Sequence, residues 1–320
     1  LHLQNYSPLN AMGTPITGIT TDYDADTRNA TTPDIGADEI VGVSNMVTVT
    51  ATAGVLGPTT YPNLRNALRA INNGTHNGNV TVSINGDTYE PAQAVLNRSG
   101  AGSANYTSVN IQPGIDAASV NGYIANPVIK LNNAANVTIN GDNPNTGGTN
   151  RNLTIYSDNF VLWVGGSSGN AANNVQVKNC IITGDADYAN TIISDATTLG
   201  NAGYFTNITF DNNLVQRAYV GIYSNAATSA GNGNGLIFSK NDLNASGANA
   251  ISYGGLYLQG VDGATVSGNN IGNIETSTTQ NNYGVWAASG TTNSTFENNN
   301  IFGIKNTGTS GYGAYGLKIS

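Results

Sequence analysis

The sequence predicts an all-β fold, a right-handed parallel β-helix, which is a solenoid with three short strands in each coil of about 30 residues. Two observations predict it. A short motif of apolar and asparagine residues recurs along the second half of the chain, and a separate column of apolar residues recurs in step with it. Both columns recur about every 30 residues with spacings that vary from one repeat to the next, which indicates coils with loops of variable length.

The recurring motif runs from an apolar residue through asparagine to a closing apolar residue. Counted from the weakest copy onward, its first apolar positions are separated by 33, 28, 28 and 30 residues. The weakest copy, residues 177–182, has Cys180 where the others have asparagine. Asparagine suits a bend between strands, because it tolerates left-handed backbone angles and its amide can bond to the next coil. The predicted asparagine ladder consists of Asn213, Asn241, Asn269 and Asn299.

The second column contains apolar residues separated by 31, 30, 34, 29 and 32 residues, and glycine precedes each of the last four. We expect this column to point into the core, with the asparagine bend between the second and third strands of each coil. The members of the column are Val161, Ile192, Ile222, Leu256, Val285 and Leu317.

The composition excludes some partners. Only 9% of the 320 residues are charged, against roughly 25% in typical soluble domains, and the formal net charge is −8. Nucleic-acid binding needs clustered lysine and arginine, so we expect no nucleic-acid partner. No apolar run is long enough to span a membrane, so we expect no membrane insertion. The single cysteine, Cys180, allows no intrachain disulfide and is predicted to be a buried, inert thiol.

The chain divides into three predicted parts. Residues 1–44 lack the coil pattern. Their Asp-rich turn, Arg28 and the Asp-Ile-Gly-Ala-Asp-Glu sequence at residues 34–39 resemble the closing segment of bacterial right-handed parallel β-helix proteins, which implies that residues 1–44 close a preceding β-helix unit. Residues 45–140 are predicted to form an N-terminal cap and irregular first coils, and residues 141–320 the regular coils. Because the chain starts at Leu1 and stops at Ser320 within a predicted strand, we expect it to be an internal piece of a longer protein.

A single convincing helix is predicted at about residues 62–72. Leu64, Ala67, Leu68 and Ile71 fall on one helical face. Pro62 suits the first helical turn, and the Asn-Asn-Gly sequence at residues 72–74 ends the helix. A solenoid must cover the apolar end of its first coil, so we interpret this helix as the cap.

These features resemble known repeat proteins. The asparagine ladder resembles that of pectate-lyase-like right-handed parallel β-helices. The Asp-Ile-Gly-Ala-Asp-Glu sequence at residues 34–39, together with the helix and the Asn/Thr/Gly-rich coils, resembles repeat regions of large secreted surface or adhesin-like proteins of Bacteroidota-type bacteria. The resemblance covers essentially the whole chain and implies a secreted or cell-surface location. It implies no single activity, because such repeats serve lyases, adhesins and stalks.

Three closely spaced carboxylates, Asp22, Asp24 and Asp26, suggest a calcium loop, to which Asp34, Asp38 and Glu39 would add oxygens. Thr27 stands where an EF-hand-type loop has its glycine, which disfavours that geometry. The alternative is a structural cap in which Arg28 pairs with one of the acids. No other cofactor is indicated.

Three aromatic residues, Tyr223, Tyr257 and Trp286, follow members of the apolar column and are predicted to stack on the outside of consecutive coils. Such a column would bind a glycan or pack against a partner. The alternative is coil-to-coil stacking that stabilises the solenoid without a ligand.

No catalytic site is predicted. Asp185, Asp187 and Asp195 lie in loops, and the repeat pattern fixes no basic residue beside them. The two histidines, His2 and His76, lie outside the regular coils. Converging titratable groups mark an active site, and the sequence shows none.

The predicted function is therefore a structural or adhesive segment of a secreted, repetitive surface or filament protein. Its expected partners are neighbouring repeat units, or further copies stacked end to end. The alternative is a β-helix that binds carbohydrate or degrades polysaccharide as a lyase or hydrolase.

Overall fold

The chain forms a parallel β-solenoid in which each coil contributes one strand to each of three sheets. The computed structural model describes Leu9 and residues 12–39, 45–277 and 279–320. The predicted all-β solenoid with three strands per coil is confirmed. The predicted domain boundary near residue 44 and His2 lie outside the described residues, and the three-part division of the chain stays a prediction.

The strands follow one another in chain order, with one α-helix, α1 (Leu64–Asn72), between the second and third. The first thirteen are β1 Val47–Gly54, β2 Thr59–Tyr61, β3 His76–Ile84, β4 Asp87–Glu90, β5 Ala94–Asn97, β6 Tyr106–Pro113, β7 Ala118–Gly122, β8 Ile129–Asn132, β9 Ala135–Asn140, β10 Leu153–Ser157, β11 Leu162–Gly165, β12 Ala172–Lys178 and β13 Cys180–Thr183. The others are β14 Ala189–Ser194, β15 Phe205–Asp211, β16 Leu214–Gln216, β17 Ala218–Asn225, β18 Ile237–Ser239, β19 Asp242–Leu243, β20 Ile251–Gln259, β21 Thr265–Ser267, β22 Asn270–Thr276, β23 Asn282–Ala287, β24 Thr295–Glu297, β25 Asn300–Asn306 and β26 Ala314–Ile319.

Eight coils stack from β3–β5 to β24–β26. The first sheet has the order β2-β1-β3-β6-β9-β12-β15-β18-β21-β24. The second contains β4, β7, β10, β13, β16, β19, β22 and β25, and the third contains β5, β8, β11, β14, β17, β20, β23 and β26. Strands of successive coils pair in parallel, whereas β1 and β2 extend the first sheet as an antiparallel pair.

The core is a set of stacked apolar columns. The first apolar residue of each recurring motif lies in one such column on the first sheet. Val177, Phe210, Phe238 and Val266 in this column are buried, and Phe296 packs against them. Residues that recur about 30 positions apart along the chain therefore stack along the axis of the core, as the repeat predicts.

The second predicted column is wrong at its first two members. In the observed register, Leu162 and Thr191 align with Ile222, Leu256, Val285 and Leu317. Val161 precedes that strand position, and Ile192 aligns with the outward residue Tyr223. Thr191 is fully buried. Because threonine is not an apolar residue, the recurring pattern of apolar residues does not reveal that position 191 points inward.

Helix α1 closes the first coil, as predicted, although it begins at Leu64 rather than Pro62. Its apolar face of Leu64, Ala67, Leu68 and Ile71 is fully buried. The Asn63 side chain accepts a hydrogen bond from the Asn66 backbone N–H at 3.0 Å, which satisfies one of the unpaired N–H groups of the first turn. None of the described helices is long and apolar enough to cross a membrane.

Candidate functional site

The asparagine bend joins the first sheet to the second, and the residue just before the ladder position adopts a left-handed conformation in five coils. Asparagine and glycine enter this region at low cost, whereas lysine does not. The ladder residues themselves are not left-handed, which refines the sequence prediction. The left-handed residues are Asn179 (φ 57°), Asn212 (φ 53°), Lys240 (φ 53°), Gly268 (φ 65°) and Asn298 (φ 54°).

The ladder amides bond from coil to coil. The Asn241 Oδ1 accepts from the Asn213 backbone N–H at 3.0 Å and from the Asn213 side-chain amide at 2.9 Å. The Asn241 Nδ2 donates to the Asn269 Oδ1 at 3.0 Å and to the Phe210 carbonyl at 2.8 Å. Asn269 repeats this arrangement with Asn299. Asn213, Asn241 and Asn269 are buried, so the ladder works as scaffold and offers no surface to a ligand.

Cys180 occupies the ladder position of its coil. Its backbone N–H donates to the Asn213 Oδ1 at 3.0 Å, so the ladder continues through this residue. The thiol is fully buried, and burial raises its pKa to about 12. A thiol held neutral in this way is a poor nucleophile, which agrees with the predicted inert role.

Arg151 clamps the same bend across several coils, a contact the sequence pattern did not indicate. Its guanidinium donates to the Asn212 carbonyl at 2.8 Å and to the Asn212 Oδ1 at 3.0 Å. Its Nη1 also lies 2.8 Å from the Asp242 Oδ2. The planar fork of arginine allows one side chain to hold both partners along the solenoid axis.

The three predicted aromatic residues lie in one row on the outer face of the third sheet. The rings of Tyr223 and Tyr257 stack with centroids 4.8 Å apart and planes 5° apart. The rings of Tyr257 and Trp286 meet in a T-shaped arrangement with centroids 5.1 Å apart and planes 86° apart. Burial raises the pKa of both tyrosine phenols. The Tyr257 hydroxyl donates to the Gln259 Oε1 at 2.8 Å.

A second aromatic group lies beside this row and was missed by the sequence analysis. Tyr219 and Tyr253 stack at 4.5 Å with planes 7° apart, and the Tyr283 ring meets Tyr253 edge-on at 5.2 Å. Tyr283 is only 1% exposed although it lies outside the main core. The Tyr283 ring lies over Gly254, where a Cβ would fall 2.2 Å from it. These tyrosines and the outer row form one external cluster that joins three coils, through β17, β20 and β23.

Two tryptophans on the third sheet are each covered by a lysine: Trp286 in the outer row, and Trp163 on β11, which lies two coils before Tyr223 in the same register. The Lys318 Nζ is 3.4 Å from the Trp286 ring centroid, and the Lys130 Nζ is 3.7 Å from that of Trp163. Burial lowers the pKa of both lysines. Cation–π contact of this kind covers an aromatic face. The faces that would stack on a sugar are therefore occupied by neighbouring coils in most of the cluster.

The predicted calcium loop is only partly assembled. Asp22, Asp24 and Asp38 have carboxylate oxygens within 4.8 Å of one another, whereas Asp26 is not in this group. The Asp22 Oδ1 accepts from the backbone N–H groups of Asp24 and Asp26, and its Oδ2 accepts from that of Glu39 at 2.7 Å. The Glu39 bond is the main cause that lowers the pKa of Asp22.

The Glu39 carboxylate closes the other side of this loop by accepting from the backbone N–H groups of Asn29 and Asp34. Arg28 donates to the backbone carbonyls of Asp34 and Gly36. In these contacts the Asp22 and Glu39 carboxylates and the Arg28 guanidinium bind backbone groups of the loop, and a structural cap with an Arg28–acid pair stays a prediction. Calcium binding at this loop stays a prediction.

The loop acids Asp185, Asp187 and Asp195 take part in local contacts. Asp185 lies 3.5 Å from the Arg217 guanidinium, a partner the repeat pattern did not predict, and its Oδ1 accepts from the Asp187 backbone N–H at 3.0 Å. Asp195 caps its own turn. Burial acts to raise its pKa, but hydrogen bonds from Thr197 and Thr198 outweigh burial and lower it. His76 is buried, with its Nε2 2.7 Å from the Tyr61 hydroxyl and its Nδ1 2.6 Å from the Val55 carbonyl.

The fold and its contacts define a parallel β-solenoid with internal asparagine ladders and an external aromatic cluster. Comparison of the chain with protein-family models, curated proteins and solved structures finds no match.

Proposed function

We propose that this chain is a structural segment of a secreted, repetitive cell-surface or filament protein, and that its coils hold neighbouring parts of that protein at a fixed separation. The observation that carries the proposal is how the recurring side chains are used. The ladder amides and most of the stacked aromatic faces contact neighbouring coils of the same solenoid. The resemblance to β-helix repeats of large surface proteins supports the same reading.

The two ends of the stack suggest how such a segment joins its neighbours. Helix α1 covers the first coil, and its apolar face is fully buried. A second copy would have to displace this helix to stack there. Ile301 in β25 and Leu317 in β26 line a cavity of about 200 Å³. We propose that a neighbouring repeat unit stacks on this face, where its own strands would continue the sheets.

The competing function is carbohydrate binding or polysaccharide cleavage. An array of neutral and acidic glycans, with a screen for lyase and hydrolase products, separates the two. We expect neither binding nor cleavage that depends on Tyr257 or Trp286. Glycan binding that is lost in both Tyr257→Ala and Trp286→Ala, but kept in the control Tyr312→Ala, would establish the binding module instead.

A further inference from the structure

Glu90 is a glutamate in the core of the first coil. It points inward from β4, is 1% exposed, and lies beneath the start of α1. Its Oε1 accepts from the Leu64 backbone N–H at 3.0 Å, and its Oε2 accepts from the Arg65 backbone N–H at 2.8 Å. These two N–H groups belong to the first turn of the helix, where no helical carbonyl is available to them. Glu90 therefore fastens the cap helix to the first coil.

Thr88 adds a second feature on the same strand. Its hydroxyl oxygen lies 3.1 Å from the Glu90 Oε1 and 3.2 Å from the Ser119 carbonyl oxygen on β7, in the second coil. A hydroxyl has one hydrogen, so Thr88 donates to only one of these two acceptors at a time. An ionised Glu90 only accepts, and then Thr88 donates to it. A protonated Glu90 donates its own proton to the Thr88 oxygen, and then Thr88 donates to Ser119.

The charges around Glu90 come from few groups. Arg65 on α1 is the cation that favours its ionised form, and Asp87 on β4 is exposed on the opposite face of that strand. Strands β5 and β7 carry no ionisable side chain, and His76 on β3 bonds to Tyr61 and the Val55 carbonyl. Burial raises the pKa of Glu90, while the two helix N–H groups, Thr88 and Arg65 act to lower it, with a net value of about 7.

We propose that Glu90 and Thr88 form a proton-dependent hydrogen-bond switch between the cap helix and the second coil. When Glu90 is ionised, the carboxylate holds α1 and Thr88 supports the carboxylate. When Glu90 takes a proton from solvent, the Thr88 hydroxyl turns to Ser119 and ties the first coil to the second. In both states the buried Thr88 hydroxyl donates a hydrogen bond, either to Glu90 or to the Ser119 carbonyl.

Nuclear magnetic resonance of the full chain tests both halves of the switch. The chain has four glutamates, so ¹³C labelling of glutamate side chains gives few signals, and Glu90→Gln identifies the one from Glu90. We expect the Glu90 carboxyl carbon to titrate with a midpoint near 7, and the Ser119 carbonyl carbon to shift with the same midpoint. The exposed control Glu275→Gln should leave both titrations unchanged.

The Thr88→Val variant separates the hydroxyl from the carboxyl. It should abolish the pH-dependent shift of the Ser119 carbonyl while Glu90 still titrates. A Glu90 signal that stays constant between pH 5 and 8, or titrates near its ordinary value, would overturn the proposal. A Ser119 shift that persists in Thr88→Val would overturn the role of the hydroxyl.

Discussion

The rings of Tyr223 and Tyr257 lie face to face across two consecutive coils, with centroids 4.8 Å apart and planes within 5°. This separation equals the roughly 4.8 Å spacing of neighbouring strands, so the sheet itself sets the stacking distance. Trp286 covers the other side of Tyr257. The aromatic row therefore continues the repeat on the outside of the solenoid. Contacts between its rings stabilise the stacking of successive coils.

A double-mutant cycle measures what this stack contributes. We expect Tyr223→Ala and Tyr257→Ala each to lower the free energy of unfolding. We expect a coupling energy of about 1 kcal/mol between them, because the two rings stack directly on each other. Denaturant titration of the four proteins gives the coupling. The exposed Tyr312 has no ring neighbour among the described residues, and Tyr312→Ala should be close to neutral. Zero coupling would contradict the stacking role.

Removal of one ladder amide should be costly. Asn241→Ala leaves two donors of Asn213 and the Phe210 carbonyl without partners inside the bend. Each buried unsatisfied group costs about 1–3 kcal/mol, so we expect a loss of roughly 3–5 kcal/mol in unfolding free energy. The exposed Asn249 provides the control, since Asn249→Ala should change stability by less than about 0.5 kcal/mol. Equal effects of the two variants would refute a structural ladder.

A substitution at Lys240 should raise the stability of the chain. It holds a left-handed conformation, with φ 53°, where the other coils have asparagine or glycine. This conformation costs an ordinary side chain about 1–2 kcal/mol, so Lys240→Asn should raise the unfolding free energy by roughly 0.5–1 kcal/mol. Lys178→Asn is the matched control, because Lys178 lies in β12 outside the left-handed positions. Thermal unfolding of both variants measures the change in stability. If Lys240→Asn is no more stable than the parent chain, the backbone at Lys240 is not strained.

Glu90 predicts a specific pH dependence of stability. Burial raises its pKa from 4.5 to about 7, so the folded chain binds a proton that the unfolded chain releases between these values. Its contribution is complete below pH 4.5 and is lost as pH rises through about 7. The rise in pKa corresponds to about 3 kcal/mol, and Glu90→Gln should remove this slope.

Other acids act in a different pH window. The pKa values of Asp22, Asp195 and Asp262 are lowered, so their contributions are present at neutral pH and lost only in acid. The difference between the parent chain and Glu90→Gln in urea titrations at intervals from pH 5 to 8 therefore isolates the contribution of Glu90. An unfolding free energy that is flat over this range in the parent chain would contradict the prediction.

The sequence predicts well those features that recur once in every coil. The ladder residues Asn213, Asn241, Asn269 and Asn299 and the aromatic row are found in register because one residue type recurs at one phase. The cap helix is predicted by its single apolar face. The predicted inward column is wrong at Val161 and Ile192, because Leu162 and the buried Thr191 hold those positions.

Features that depend on one residue are not predictable in this way. The tyrosine group around Tyr283 depends on an irregular register beside Gly254. Arg151 reaches Asn212 and Asp242, which are 61 and 91 residues away along the chain, so no local pattern joins them. For Glu90 a signal existed, since the alternation of β4 places Thr88 and Glu90 on the inward face.

The central claim is that each coil is an interchangeable spacer, and deletion of one coil tests it most directly. Removing residues 241–268 takes out β19, β20 and β21, one strand from each sheet, and puts Asn269 in the place of Asn241. Spin labels on cysteines introduced at Thr81 and Thr295 report the length, because these outward positions lie on β3 and β24 of the same sheet. The buried Cys180 should remain unlabelled.

Seven strand spacings separate the labelled strands, or about 34 Å along the axis in the parent chain. Double electron–electron resonance should give one narrow distance that shortens by about 5 Å in the deletion variant, with cooperative unfolding retained. A control deletion of residues 241–254 removes half a coil and should give a broad distribution. A one-coil deletion that unfolds the chain, or leaves the distance unchanged, would contradict the spacer account.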